Sequence, residues 1–291
     1  MADKRVTIIT GAGKGLGAAF AKQIASDGGA VIVNNRIREG QPDSAGDVVA
    51  EIVSSGGAAV ANRLDVTEPG ASEALVRQAL DHFGRLDAVI FNAGVNGAAA
   101  RFGDMPQNEF DNVICINFSA PVALARAAWN ALQDSKDGRM LFVSSSAGLY
   151  GLKGRAPYAA SKGALNAFAA TLAHEGRRFG IGVNILSPYA RTQMTAGVGP
   201  EKLAEMLAPE KVAPLASWLV STECRSDGEN WIAGGGYVRK ARVLETEGAE
   251  LESEVAAWER RHAQMLDAIS DVTGFKGAEA AFESLMGRLK P

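Results

Sequence analysis

Cysteine and histidine are scarce in this chain. It holds two cysteines, Cys115 and Cys224, and three histidines, none of which has the spacing of metal ligands. A disulfide framework and a metal centre built on these residues are therefore not expected. The two thiols are expected to be reduced, as they are in cytoplasmic proteins.

Two further absences narrow the class of protein. The net charge is −3 with both signs interspersed, so the sequence offers no basic surface for nucleic acid. No apolar run is long enough to cross a membrane, and the first residues lead into a strand without the pattern of a signal peptide. We expect a cytoplasmic protein without nucleic-acid or membrane partners.

Apolar residues and glycine are plentiful. Hydrophobic residues make up 47% of the 291, and 33 residues are glycine. Apolar runs alternate with helical patterns along most of the chain, which predicts an α/β fold with a doubly wound parallel sheet of seven strands. Beyond about Val243 the sequence becomes charged and helical. We predict a main domain over residues 1–240 and a helical C-terminal extension over residues 241–291.

The first apolar run, Arg5–Thr10, leads directly into the glycine-rich sequence GAGKGLG, and an alanine-rich helical pattern follows. Strand, glycine turn and helix in this order are the context of a phosphate-binding site. Glycines let the backbone approach a pyrophosphate, and the helix N-terminus offers free N–H groups. The predicted cofactor contacts in this turn are Gly11, Lys14, Gly15, Leu16 and Gly17.

The end of the second apolar run lacks the acidic residue that would bind the ribose hydroxyls of NAD. Asn35 and Arg36 stand there instead, and a cation at this point suits the 2′-phosphate of NADP, with Lys14 placed to help. The alternative is that both cations only face water. Asp65, after the third run, either receives the adenine amino group or caps the next helix.

A serine, a tyrosine and a lysine follow the fifth run, in the sequence SSAGLYGLKGRAPYAASK. Tyr158 and Lys162 are four residues apart and share one face of a helix, where the ammonium favours the phenolate. Such a tyrosine exchanges a proton with an alcohol or a forming alkoxide, and Ser145 is placed to hydrogen-bond the same oxygen. Asn117 either bonds a neighbouring strand or links Lys162 to solvent through water.

The chain resembles the short-chain dehydrogenase/reductase family. The resemblance covers about residues 4–238 and implies a Rossmann-type sheet of seven strands, a nicotinamide cofactor and no metal. The motifs that carry it are TGAGKGLG at 10–17, NAG at 92–94, Asn117, Ser145 and YAASK at 158–162.

The resemblance also implies a role for each matching residue. Tyr158 is the acid/base, and Ser145 orients the substrate oxygen. Lys162 holds the nicotinamide ribose and lowers the pKa of the phenol, and Asn117 anchors a water of the proton relay. The other implied cofactor contacts are Asn35, Arg36, Asp65, Val66, Asn92, Ala93, Gly94, Pro188 and Thr192.

Within this family, the pattern is similar to the (3R)-hydroxyacyl-CoA dehydrogenase domain of multifunctional enzyme type 2. The similar stretches include SAGLYG at 146–151, EGRRFGIGVNILSP at 175–188 and PEKVAPLASWL at 209–219. This likeness implies an NAD(P)-dependent oxidoreductase acting on a small molecule, interconverting a secondary alcohol and a ketone such as a 3-hydroxyacyl and a 3-oxoacyl thioester. The alternatives are a hydroxysteroid or polyketide-like ketone as substrate, or a non-catalytic nucleotide sensor.

Two residues depart from the relatives' pattern. Asn35 stands where they carry an aspartate and favour NAD, so we predict NADP, with NAD as the alternative. Tyr189 replaces the usual glycine after the proline of the sixth strand, where it would line the nicotinamide or the substrate. The resemblance further implies a homodimer or homotetramer, paired through long helices predicted at 107–132 and 157–179.

Overall fold

One sheet of eight strands forms the centre of the protein. The structure is a computed structural model that describes residues 4–190, 205–243 and 278–287. The strand order in these residues is β3-β2-β1-β4-β5-β6-β7-β8. The strands are β1 Val6–Ile9, β2 Ala30–Asn34, β3 Ala58–Asn62, β4 Ala88–Phe91, β5 Gly138–Val143, β6 Ile181–Pro188, β7 Asn230–Gly234 and β8 Tyr237–Ala241.

Helices cover both faces of this sheet. A single turn of π-helix, Cys115–Ser119, joins two of them, and short 3-10 helices lie at Phe102–Asp104, Arg177–Phe179 and Pro209–Lys211. The α-helices are α1 Gly15–Ser26, α2 Ser44–Ser54, α3 Ala71–Phe83, α4 Gln107–Ile114, α5 Ala120–Asp134, α6 Ala147–Tyr150, α7 Ala156–Gly176, α8 Ala213–Leu219 and α9 Ala278–Met286.

Strands β1 to β7 pair in parallel, which confirms the predicted doubly wound Rossmann-type fold. Neighbouring residues of a strand face opposite sides of the sheet, so Ile8 and Ile9 belong to separate cores. Residues of α1, α2 and α8 complete one core, and residues of α3, α5 and α7 complete the other. Burial on both faces explains why these strands are continuous apolar runs instead of alternating ones.

The eighth strand extends the seven that were predicted. Strand β8 pairs antiparallel with β7, with Gly234 opposite Tyr237. The two residues between them, Gly235 and Gly236, have φ of +59° and +83°, the backbone of a tight two-residue hairpin turn. The sequence signal for this hairpin is the glycine pair followed by YVRKA.

The long helix predicted at 107–132 is divided into α4, the π-turn and α5. Pro121, in the first turn of α5, has no N–H to give to the carbonyl of Asn117, four residues earlier. The wider turn lies directly before this proline and carries Asn117, which is fully buried. The interruption thus falls where a functional side chain was predicted, a common location for π-turns.

Candidate active site

The glycine turn lies at the carboxyl end of β1, in the middle of the sheet. Gly11 and Gly15 have φ of +63° and +56°, a region that glycine adopts without strain. A Cβ added to Gly17 would lie 2.4 Å from the carbonyl oxygen of Gly11. Helix α1 begins after Lys14 without a side-chain cap, so its first N–H groups are free to bind an anion.

Asn92, at the end of β4, fixes this turn. Its Nδ2 donates to the carbonyl oxygens of Thr10 and Gly11, at 2.9 and 3.0 Å. The hydroxyl of Thr10 accepts in return from the backbone N–H groups of Asn92 and Ala93, both at 3.1 Å. The predicted residues 92–94 therefore hold the glycine turn in shape as well as lining the cavity beside it.

The end of β2 carries an ion pair that sequence reasoning missed. Arg36 Nη1 lies 2.6 Å from Asp65 Oδ2, while Oδ1 of Asp65 accepts from the N–H and the hydroxyl of Thr67. Burial alone would raise the pKa of Asp65, but the hydrogen bonds from Arg36 and Thr67 outweigh it and lower that pKa. Because α3 begins only at Ala71, Asp65 caps a local turn rather than the helix.

Asn35 and Lys14 flank this pair. Asn35 Nδ2 donates to the hydroxyl of Ser44 at 2.8 Å, and Lys14 is exposed at the rim. Neither Arg36 nor Lys14 is directed away from the cavity, since both line it. Arg36 therefore does not only face water. Its guanidinium is half-buried and is already in contact with the carboxylate of Asp65.

Ser145, Tyr158 and Lys162 converge beside the carboxyl end of β5. Ser145 hydrogen-bonds Tyr158 through the side chains, and its Oγ also accepts from the N–H of Ala147 at 3.1 Å. Lys162 Nζ lies 5.8 Å from the centre of the Tyr158 ring and donates to the carbonyl of Val143 at 2.8 Å. The i,i+4 spacing on α7 thus brings Tyr158 and Lys162 together, and the turn after β5 adds Ser145.

The titration of these groups differs from expectation. Burial raises the pKa of Tyr158, and the hydrogen bond from Ser145 offsets only part of that. Burial also lowers the pKa of Lys162 to about 8. Without a bound cofactor, the ammonium therefore does not lower the pKa of the phenol as predicted, because both groups lose water in the same enclosed space.

Asn117 reaches the loop after β4 from the π-turn. Its Oδ1 accepts from the N–H of Val95 at 2.8 Å, and its Nδ2 donates to Val95 O at 2.9 Å and to Ser161 Oγ at 3.1 Å. The structural role left open by the sequence is therefore present. Lys162 is close by, since a Cβ on Gly94 would lie 3.2 Å from Asn117 Oδ1 and 3.6 Å from Lys162 Nζ.

A single cavity of about 580 Å³ connects the glycine turn with Tyr158. It is lined by all the predicted site residues except Gly17, Asn117 and Thr192. Gly17 packs beneath the turn, Asn117 acts through Val95, and Thr192 lies outside the described residues. Tyr189 lines the cavity as expected, and the lining residues that were not predicted include Val95, Leu152, Leu207 and Phe282.

The wall made by Tyr189 and Phe282 combines distant parts of the chain. Their ring centres lie 5.4 Å apart, with the planes tilted by 44°. Tyr189 directly follows β6, whereas Phe282 belongs to α9, within the predicted C-terminal extension. The departure from glycine at 189 was a signal for the first residue, but no sequence pattern placed the second.

The shape and chemistry of the cavity fit a dinucleotide. The space above Gly11 is one that a Cβ would fill, since an added Cβ would lie 2.8 Å from Ala93 Cα. Free N–H groups of α1 face a pyrophosphate position, and Lys162 offers a buried ammonium for ribose hydroxyls. The residues present would therefore hold a nicotinamide dinucleotide between the glycine turn and Tyr158.

The described residues hold neither a membrane-spanning helix nor a metal cluster. No helix among residues 4–190, 205–243 and 278–287 is long and apolar enough to cross a bilayer. The same residues contain no group of three or more His, Cys, Asp or Glu placed to bind a metal ion. The cysteines in this part of the chain are unpaired, with Cys115 exposed and Cys224 buried.

Comparison with known sequences identifies relatives of this chain. The family model described as short chain dehydrogenase matches residues 5–203. Peroxisomal multifunctional enzyme type 2 of Mus musculus is 41% identical over 252 residues, which are 85% of this chain and 34% of that enzyme. The chain thus spans about a third of that relative. A putative short-chain type dehydrogenase/reductase of Mycobacterium tuberculosis is 36% identical over 284 residues, 94% of this chain and 98% of that protein.

A solved structure agrees with these relatives. The crystal structure of a short chain dehydrogenase from Mycobacterium avium superimposes with a TM-score of 0.80 at 33% identity, covering 92% of this chain and 96% of that one. The predicted likeness to the family and to multifunctional enzyme type 2 is thereby confirmed. The chain belongs to the short-chain dehydrogenase family and is an oxidoreductase.

Proposed function

We propose that this protein interconverts a secondary alcohol and a ketone with NADP(H), and that a 3-hydroxyacyl/3-oxoacyl thioester is its substrate. The observation that carries the proposal is the cavity that joins an anion-binding glycine turn to a tyrosine hydrogen-bonded by Ser145. A nicotinamide cofactor, when bound, supplies or accepts the hydride. The protein's own residues then bind, orient and handle the proton.

Tyr158 is the acid/base of this proposal. Its phenol is protonated at neutral pH, because burial raises its pKa, so it holds the proton that a forming alkoxide needs. Ser145 donates to the same substrate oxygen and fixes its position. Lys162 binds the ribose and, as an ammonium next to a charged cofactor, offsets the burial of the phenolate. Asn117 holds Val95 and Ser161 around the lysine and anchors the water of the relay.

NADP is the proposed cofactor, with NAD as the alternative. Arg36 and Lys14 both line the end of the cavity proposed for the adenosine. Asn35 occupies the position at which an acidic residue would select NAD. Arg36 must share its guanidinium between Asp65 and a 2′-phosphate. Separate fluorescence titrations should give NADPH an affinity about tenfold higher than NADH. Equal affinities would assign the protein to NAD.

The substrate is proposed from the likeness to the (3R)-hydroxyacyl-CoA dehydrogenase domain of multifunctional enzyme type 2. A second candidate is a hydroxysteroid or polyketide-like ketone. It is favoured by the aromatic pair of Tyr189 and Phe282, which lines the same cavity as the apolar side chains of Val95 and Leu152. A non-catalytic nucleotide sensor is disfavoured, because such a protein has no use for Ser145, Tyr158 and Lys162 together in one cavity.

Replacement of Tyr158 by phenylalanine tests the proposed function. We expect kcat for ketone reduction to fall by about 10²–10⁴, because the proton donor is lost, while NADPH affinity stays unchanged. Tyr237→Phe is the matched control, since Tyr237 is exposed on β8 and should keep full activity. Unchanged turnover in Tyr158→Phe would show that the acid/base assignment is wrong.

We further propose a homodimer or homotetramer in the cytoplasm. The long helices α5 and α7 are the surfaces expected to pair, and light scattering of the purified protein measures the mass. The named peroxisomal relative gives the competing compartment, so fractionation of cells distinguishes the two.

A further inference from the structure

Tyr189 is fixed in the cavity wall by contacts on three sides. Its backbone N–H donates to the carbonyl of Ala233 on β7 at 2.7 Å. Gly234 leaves room for it, since an added Cβ would lie 2.7 Å from the Cβ of Tyr189. Phe282 of α9 covers the ring, 5.4 Å between ring centres. These contacts hold the phenol in one place, as specific recognition requires.

The hydroxyl of Tyr189 is buried, and it makes no hydrogen bond of ordinary geometry among the described residues. The Ser146 hydroxyl and the Arg239 guanidinium lie near enough to act on it electrostatically. Burial outweighs them and raises the pKa of Tyr189, so the phenol stays protonated and remains a donor at neutral pH. A buried hydroxyl whose polar neighbours, Ser146 and Arg239, do not meet it in a hydrogen bond of ordinary geometry calls for an explanation, and a ligand oxygen is one.

The position of this donor relates it to the reacting centre. Ser146 directly follows Ser145, and both line the cavity together with Tyr158 and Tyr189. Four other side chains that line the cavity, those of Val95, Leu152, Leu207 and Phe282, carry no polar group, whereas Asn96 and Arg155 add polar groups to the lining. A substrate whose ketone is held by Ser145 and Tyr158 would therefore place its neighbouring atoms beside a polar group in a mostly apolar wall.

We propose that Tyr189 is a specificity-determining residue whose hydroxyl donates a hydrogen bond to a second oxygen of the substrate, close to the ketone. The inference rests on the proposed function and narrows it to ketones that carry such an oxygen. Two sources share this chemistry. One is the thioester carbonyl of a 3-oxoacyl group, and the other is a ring oxygen of a polyketide-like ketone.

Tyr189→Phe tests this with two pairs of ketones. The first pair is a 3-oxoacyl thioester of N-acetylcysteamine and its analogue with methylene in place of the thioester carbonyl. The second is an aromatic tetralone with and without a ring hydroxyl beside the ketone. For the oxygenated member that the wild type prefers, KM should rise about tenfold with kcat nearly unchanged. The member without the oxygen should keep its kcat/KM. Tyr237→Phe is the control.

The thermal midpoint separates recognition from structure. Because the hydroxyl makes no hydrogen bond of ordinary geometry with the described residues, Tyr189→Phe should keep Tm, whereas the loss of a structural hydrogen bond would lower it. If both members of each pair lose activity equally, or neither does, the inference is wrong while the proposed function stands. If the wild-type enzyme binds NADPH but reduces none of the four ketones, the proposed function fails and this inference fails with it.

Discussion

The two ends of the cavity are built from different parts of the chain. At the end proposed to hold the adenosine, much of the surface is backbone: a glycine turn, the start of α1 and the residues after β4. At the end proposed to hold the substrate, the lining includes side chains from distant parts of the chain, Val95, Leu152, Tyr189 and Phe282. We expect the first end to bind the cofactor and the second to select the substrate.

This difference follows from what each ligand offers. A pyrophosphate has charge and a fixed shape, so N–H groups at a helix N-terminus suffice, and only glycine allows the approach. A ketone substrate is recognised by its carbon skeleton and by one or two oxygens, so recognition depends on side-chain size and on single donors. A binding site formed by backbone groups is lost with most substitutions of its glycines. The specificity of a site formed by side chains can change with a single substitution.

The largest expected effect tests the backbone end. In Gly17→Ala the new Cβ would lie 2.4 Å from Gly11 O and 2.6 Å from Asn92 Nδ2, so the turn must shift. A displacement of this kind should weaken NADPH binding about a hundredfold and lower the free energy of unfolding by about 1–3 kcal/mol. Titration and urea denaturation measure both.

Gly103→Ala is the matched control for that substitution. Gly103 is exposed in a short 3-10 helix, and an added Cβ would meet no heavy atom within 4 Å. It should leave both NADPH affinity and stability unchanged. Wild-type affinity in Gly17→Ala would contradict the view that close backbone approach builds the adenosine end.

The same division explains what the sequence could predict. The glycine turn and the Tyr158–Lys162 pair are short-range patterns that the sequence itself shows, the family resemblance added Asn92, and all of them line one cavity. The contact of Tyr189 with Phe282 was beyond reach, because it depends on how α9 returns to the end of β6. The residue pattern within each of these two segments does not indicate that they pack against each other.

Electrostatics was predicted less well than geometry. The i,i+4 spacing gave the closeness of Tyr158 and Lys162, but the sign of the pKa shift of Tyr158 depends on how deeply both groups are buried. Likewise Arg36 was expected to contact a 2′-phosphate or water, and only the fold brings Asp65, which follows β3, within 2.6 Å of it. Burial and cross-strand partners are properties of the folded chain rather than of a motif.

An effect of intermediate size concerns Lys162, which lies between the two ends. Its pKa falls from 10.5 to about 8 on burial, so the folded protein binds fewer protons than the unfolded chain between those two pH values. The free energy of unfolding therefore rises with pH in that window, by up to about 1.4 kcal/mol per pH unit, and the penalty is fully present below pH 8. Lys162→Met removes the titrating group and this slope.

Urea denaturation of the cofactor-free protein at pH 7, 8.5 and 9.5 measures that slope, below the range where phenols titrate. Lys153→Met is the control, because Lys153 is an exposed lysine of the segment that leads into α7, and its variant should follow the wild type. Parallel curves for wild type and Lys162→Met would mean that the ammonium is better solvated than its complete burial in the fold indicates.

The smallest expected effect concerns Arg36 and Asp65, two side chains at the adenosine end of the cavity. Arg36→Leu should weaken NADPH binding about tenfold and leave NADH binding unchanged, because only NADPH carries the 2′-phosphate. Asp65→Asn should strengthen NADPH binding severalfold, since it removes a negative charge 2.6 Å from the guanidinium. Arg63→Leu, which breaks the ion pair of Arg63 with Asp43 outside the cavity, serves as the control. If Arg36→Leu weakens both cofactors equally, the arginine orders the end of β2 instead of reading the phosphate, and cofactor choice must lie in the backbone as well.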